Sequence, residues 1–328
     1  MKQLKGTHHI TLITSSAEQI YHFFTNIMEM RLVKKTINQD DIETYHLFFA
    51  DDRGNPGTDV TFFDFKGASK AIRGRNEIRK TAFRVADDKA LDYWLKRFTH
   101  YKIKHTGIET LFGKKVIYFE DFDEQQYVLI SDQDNKGVKT GTAWLKGPVP
   151  NEFGITGLGP AFLYVNDLER IYDALTKGLF MRKSLVEGDF TLYEMGEGGN
   201  GGSVVVVYSN EPFVSYQGYG GVHHLAFRVD NKEDLANWEE HFNKLRAPNS
   251  GYVDRFYFES LYVRLYPNVL FELATDEPGF IDDEESYEIL GETLALPPKF
   301  RNKRAYVEKI VRPINTVRST KKFEKEYF

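Results

Sequence analysis

The chain has 328 residues, enough to bury its own core, and carries 43 basic against 48 acidic side chains for a net charge of −5. It shows no basic patch for nucleic acid, no apolar run of transmembrane length and no opening signal peptide, so the expectation is a cytoplasmic globular protein. Cysteine is absent, which removes a thiol nucleophile and any thiolate-ligated metal; aromatic residues, at 15%, can fill cores or line a pocket for a flat apolar ligand.

The first predicted strand, HHITLIT (8–14), opens on a histidine pair, His8 and His9. A helix follows. Ser15-x-x-Glu18 has the capping-box spacing, and Ile20, Phe23, Phe24 and Ile27 fall on one helical stripe. Two β-rich runs come next, 45–52 and 59–65. RKTAFRV (79–85) begins a second round, with the stripe Leu91, Trp94, Leu95 and Phe98 and the runs 114–122 and 126–132. Residues 136–160 are rich in Gly and Pro and divide the chain. A third round runs from GPAFLYV (159–165) through Leu168, Ile171, Tyr172 and Leu175 to the runs 190–195 and 203–209. The fourth, GVHHLAFRV (221–229), brings a second histidine pair, His223 and His224. It continues through Leu235, Trp238 and Phe242 to the runs 257–266 and 269–275. The tail after Pro297 is charged, with a short predicted helix from Lys303 to Val311 packed on the body.

These rounds are copies of one unit. The tetrapeptide AFRV recurs unchanged at 82–85 and 226–229, and in that frame His9, Lys80, Pro160 and His224 are equivalent, 71, 80 and 64 residues apart. The stripe starts 11 residues after the frame position in three copies and three residues early in the third. Each copy reads β-α-β-β-β. The expected organisation is an N-terminal half of two units (1–135), a linker (136–158), a C-terminal half of two units (159–296) and a tail (297–328).

The two histidine pairs sit at equivalent positions, and one glutamate can complete a site with them. Glu272 lies in VLFELA among apolar neighbours, where an unpaired carboxylate is costly and a cation relieves the cost. Two imidazoles and one carboxylate, with other positions open, form the ligand set of non-haem Fe(II) oxygenases. Strand alternation puts His9 on the face of Thr11 and turns His8 away unless the strand end is twisted; His223 and His224 stand in the same relation. Of the other histidines, His22, His100, His105 and His241 read as surface or structural, and His46 as either structural or a pocket wall.

Four βαβββ units resemble the vicinal oxygen chelate superfamily, which includes glyoxalase I, extradiol dioxygenases and fosfomycin-resistance proteins, over nearly the whole chain to about residue 300. The resemblance implies an α+β fold in which paired units form two cupped, incompletely closed barrels. It sets ligands early in the first strand of a unit and late in its last, which implies a metal held by His9, His224 and Glu272. Units two and three offer Lys80, Pro160, Val128 and the run Val204 to Val207 at those positions, and unit one has Thr61 or Phe62 in place of a second carboxylate. Units one and four must then share a barrel.

TH-H-ITLIT, the stretch 31–65, GVHHLAFRV and the spacing to VLFELATDEPGF most resemble the hydroquinone-type ring-cleaving dioxygenases. That resemblance implies Fe(II), with Mn(II) as the alternate ion, and O2-dependent opening of para-hydroquinones such as methylhydroquinone, in quinone detoxification or aromatic catabolism. It further implies working roles for His8, Thr11, His223, Arg255 and Tyr262: proton transfer at His8 or His223, a hydrogen bond from Tyr262, and a fixed charge at Arg255. Tyr262 can share the face of Glu272 only if the turn at Pro267-Asn268 is bulged or three residues long; a two-residue turn sets it opposite Leu273. Two other classes fit the fold. A glyoxalase-like isomerase or thiol transferase would need a fourth protein ligand, and a non-catalytic small-molecule-binding protein would need no triad. The expected partners are a small aromatic substrate and O2, without nucleic acid or membrane; a homo-oligomer is compatible with the sequence.

Overall fold

The computed structural model describes residues 2–281 and 285–328. Unit one comprises β1 (Thr7–Ile13), α1 (Ala17–His22), β2 (Arg31–Ile37), β3 (Tyr45–Ala50) and β4 (Asp59–Phe63). Unit two comprises β5 (Glu77–Val85), α2 (Asp88–His100), β6 (His105–Leu111), β7 (Lys114–Glu120) and β8 (Gln126–Ser131). Unit three comprises β9 (Ile155–Val165), α3 (Leu168–Asp173), β10 (Arg182–Glu187), β11 (Phe190–Glu194) and β12 (Ser203–Tyr208). Unit four comprises β13 (Gly221–Val229), α4 (Lys232–Lys244), β14 (Asn249–Asp254), β15 (Phe258–Tyr266) and β16 (Val269–Pro278). The tail carries α5 (Arg304–Ile310).

All four unit helices are capped by a side chain. Ser16, Asp87, Asp167 and Asn231 each accept from the backbone N–H three residues on, which satisfies a donor the helix cannot. The capping box read at Ser15 is therefore displaced by one residue: Ser16 is the cap, and Ser15 Oγ donates instead to Asp123 Oδ1 at 2.5 Å. The stripes of units one, two and four pack into the core, with Phe24, Trp94 and Trp238 wholly buried. In unit three only Ile171 and Leu175 are buried; Leu168 and Tyr172 face solvent. Helices α1 and α3 each pass into a π turn, at Phe23–Ile27 and Ala174–Gly178.

Two eight-stranded sheets result, ordered β14-β15-β16-β13-β1-β4-β3-β2 and β10-β11-β12-β9-β5-β8-β7-β6. Units one and four thus build one cup, and units two and three the other. The joints are the antiparallel pairs β1–β13 and β5–β9. Their registers match in the frame of the repeat: Ile10 opposes Leu225 and Thr81 opposes Ala161, each one residue past a frame position. One face of each sheet packs against helices. The other curls around a smaller cluster, with Phe48, Ala226 and Tyr257 in the first cup and Val128, Phe162 and Val205 in the second.

Candidate metal centre

Three potential ligand atoms converge on the floor of the first cup. His9 Nε2 lies 3.2 Å from His224 Nε2 and 3.2 Å from Glu272 Oε2, and His224 Nε2 lies 2.8 Å from the same oxygen. All three side chains are buried, and these residues form a group able to hold an ion. Donors about 2.1 Å from one ion at right angles would stand about 3.0 Å apart, so the triangle fits three adjacent positions of an octahedron. Glu272 Oε2 faces both Nε2 atoms, while Oε1 accepts from Ser260 Oγ at 2.5 Å. Burial pushes the Glu272 carboxyl up, but the facing His9 and His224 reverse this and hold it well below the usual carboxylate range.

The outer histidine of each pair meets the inner one at Nδ1. β1 carries an extra residue between Thr7 and Ile10, and β13 an extra residue between Leu225 and Val222, so a bulge falls at each histidine pair. The bulges bring the paired rings edge to face, with Nδ1 atoms 2.9 Å apart for His8 and His9 and 2.8 Å apart for His223 and His224. His8 Nε2 donates to the carbonyl of Thr275 at 3.0 Å, which leaves its Nδ1 as an acceptor. The proton between the rings then belongs to His9 Nδ1, and His9 Nε2 keeps its lone pair for a metal. In the second pair no carbonyl sets the tautomer; a metal on His224 Nε2 would put the shared proton on His224 Nδ1, with His223 Nδ1 accepting it, and His223 itself lines the cavity. Burial first, then the neighbouring imidazole, lowers His8 and His223 to about 3, so both are neutral at ordinary pH.

Thr11 Oγ1 lies 3.0 Å from His224 Nε2 and 2.7 Å from Thr61 Oγ1. Thr61, which pairs with Thr11 across β1–β4, occupies the slot where a fourth protein ligand would stand. Above the three ligands opens a cavity of about 500 Å³ walled by Phe48, Phe63, Phe65, Tyr257 and Phe258. Tyr262 and Arg255 also line it. Tyr262 opposes Glu272 in the β15–β16 register because the two-residue turn at Pro267-Asn268 is accompanied by a bulge between Val263 and Tyr266. Arg255 Nε donates to Tyr262 Oη at 3.2 Å, and its outer nitrogens hold Asp40 at 3.1 and 2.9 Å. Burial first, then the Glu272 charge, raises the Tyr262 phenol.

His8, Thr11, His223, Arg255 and Tyr262 therefore all gather around His9, His224 and Glu272. His46 is in the cavity wall, whereas His22, His100, His105 and His241 are not. Sequence reading missed Ser260, Asp40 and Phe258. Ser260 had a signal, since it lies two residues from Tyr262 on the same strand face; Phe258, whose ring packs tilted against His8 and His9, has the same parity. Asp40 reaches Arg255 from the β2–β3 loop and had none.

No family model matches the chain. Curated relatives do, among them these two. MhqA of Bacillus subtilis (strain 168), named as a ring-cleaving dioxygenase, is 38% identical over 317 residues, covering 95% of this chain and 99% of that protein. The chlorohydroquinone/hydroquinone 1,2-dioxygenase of Sphingobium indicum is 30% identical over 309 residues, covering 91% and 93%. A solved structure from Bacillus subtilis, described as a dioxygenase, superposes with a TM-score of 0.87 at 30% identity, over 97% of this chain and 99% of that one. Glyoxalase I from Zea mays shares the fold alone, with a TM-score of 0.57 at 16% identity over 83% and 92%.

Proposed function

The chain belongs to the ring-cleaving dioxygenases of the vicinal oxygen chelate fold, and from that premise we propose that it opens a para-hydroquinone with O2, using Fe(II) held by His9, His224 and Glu272. Mn(II) is the alternate ion. Both oxygen atoms enter the product: the ring bond between a hydroxyl-bearing carbon and its neighbour breaks, one carbon becoming a carboxyl and the other a carbonyl. The observation that carries this reading is three buried ligands beneath an aromatic cavity, with the fourth-ligand slot filled by Thr61. A glyoxalase-like reaction would need a carboxylate there.

A bound ferrous ion would acidify the phenolic substrate and pass electrons from ring to oxygen. The chain's residues do the rest. Phe48, Phe63 and Phe258 hold the flat ring and exclude water. Thr11 and Tyr262 flank the site at which a substrate oxygen enters. Arg255, fixed by Asp40 and reaching Tyr262, places a positive charge beside developing negative charge. His223 lines the cavity as a neutral imidazole able to take a proton during ring opening and give it back.

The test is anaerobic loading with Fe(II), then oxygen uptake with hydroquinone, methylhydroquinone, chlorohydroquinone and catechol. Uptake with a hydroquinone, and both atoms of labelled O2 in the product, is the expected result. No uptake with any hydroquinone would overturn the reading.

A further inference from the structure

The two halves of the first cup are related by register. Thr61 pairs with Thr11, two residues past His9, and Glu272 pairs with Ala226, two residues past His224. Thr61 is therefore the two-fold mate of the carboxylate Glu272. One strand further out the relation holds again: His46 pairs with Phe63 and Ser260 with Ala274, each two residues past the mates Thr61 and Glu272. Ser260 and His46 are mates too, and they do matching work. Ser260 Oγ donates to Glu272, and His46 Nε2 hydrogen-bonds Thr61 Oγ1 at 2.9 Å. The scaffold relation that steadies a carboxylate on one side of the centre steadies a hydroxyl on the other.

From Thr61 the contacts run on to Thr11 and so to the metal-facing nitrogen of His224. His46 lines the cavity, and its ring is packed against Phe48 and Phe63 with centroids 3.9 and 4.4 Å away. Among the described residues, Nδ1 of His46 has no hydrogen-bond partner. Glu272 takes one side of the centre; on the other, Thr61, wholly buried like Thr11, presents a hydroxyl in place of a carboxylate, so among the described residues no protein ligand fills that side.

We propose that His46 is a substrate-positioning residue: acting through Thr61, it fixes the direction of the Thr11 hydroxyl on the open side, where the oxygen of an aromatic diol enters. A threonine hydroxyl can donate or accept and rotates between the two, so a pair of them has no polarity of its own. An imidazole at one end supplies it. With the proton on Nδ1, His46 accepts from Thr61, Thr61 accepts from Thr11, and the lone pairs of Thr11 are left to receive the O–H of the diol. This inference rests on the hydroquinone reading above.

The test compares His46→Phe, Thr61→Val, the double variant and His46→Gln, whose amide oxygen can accept where Nε2 does. Iron content, melting temperature, kcat and KM for methylhydroquinone, and its anaerobic binding by calorimetry are measured on each. All four variants are expected to keep iron. His46→Phe and Thr61→Val should each lose about 10- to 100-fold in kcat/KM, with binding weakened alongside, as for one lost polar contact in a dry site. The double variant should be no worse than either single change, and His46→Gln should restore most of the loss. Parental kinetics in both single variants, losses that multiply in the double, or no rescue by glutamine would overturn the proposal. If His46→Phe does not fold, Thr61→Val decides it. A parent protein that consumes no oxygen with any hydroquinone defeats the functional reading and this inference with it; a parent that turns over while both variants keep pace defeats the inference alone.

Discussion

The two cups share a backbone and differ in what they can hold. Both are joined by antiparallel strands in the same frame, and both carry bulges beside the frame positions, at Thr7–Ile10 in the first joint and Ile78–Lys80 in the second. In the first cup the four slots hold His9, His224, Glu272 and Thr61. In the second the corresponding residues are Lys80, Pro160, Val205 and Val128. The ammonium of Lys80 lies over the rings of Tyr118 and Tyr164, at 4.7 and 5.5 Å, where the rings partly offset its charge. Backbone geometry therefore supplies sites for a metal twice, and side chains decide whether one is built. The bulges persist in the second cup without ligands, so they belong to the fold rather than to the chemistry.

The largest expected effect breaks the first cup's distinction altogether. His9→Ala, His224→Ala and Glu272→Gln should each abolish turnover and bound metal, because three ligands leave no redundancy; metal analysis of the purified variants with oxygen uptake checks this. Arg255→Ala and Tyr262→Phe should keep the metal and lose about 10²–10³-fold in rate, the usual consequence of removing one electrostatic donor. Steady-state kinetics on fully iron-loaded protein decides it, and unchanged rates would reduce both to packing roles. Ser260→Ala frees Glu272 Oε1 and should weaken metal affinity about 10- to 100-fold, read by competition with a chelator.

Two smaller effects sharpen the comparison. Without metal, His8 and His223 are held to about 3 against the ordinary 6.5, whereas in the unfolded chain they protonate near 6.5. The unfolded state then binds more protons as pH falls, so stability is lost progressively from about pH 6.5 toward about pH 3 and is fully present above that window. The melting temperature of metal-free protein should drop between about pH 7 and about pH 4.5, and a His8→Gln, His223→Asn double variant should flatten that slope. In the second cup, Lys80→Met should shift stability by no more than about 1 kcal/mol and leave turnover and metal content at parental values.

Much of this was legible in the sequence, for a reason that also marks the boundary. Repetition exposes equivalent positions, so ligands standing in only two of four copies revealed which units must meet. What depends on departures from regular geometry was not legible. Period-two alternation turns His8 away from His9, and only the bulge brings their rings together. Tyr262 could be placed only conditionally, because one extra residue beside a two-residue turn decides its face. Polar edge strands also escape hydrophobic patterning: β10 (Arg182–Glu187) is exposed along its whole length and gives no alternation to read. The cap at Ser16 rather than Ser15 is a choice between adjacent hydroxyls, settled by the tertiary pull of Asp123 on Ser15.

The joints between units are nested like brackets: β5 with β9 inside, β1 with β13 outside. During synthesis the inner pair can close as soon as residue 165 has emerged, while β1 must wait with one edge unsatisfied until residues 221–229 arrive. The second cup is thus placed to be the earlier folding unit, a platform on which the last quarter of the chain completes the first. Ion binding becomes a report on chain completion, because a product halted before β16 lacks Glu272 however well its earlier units have folded.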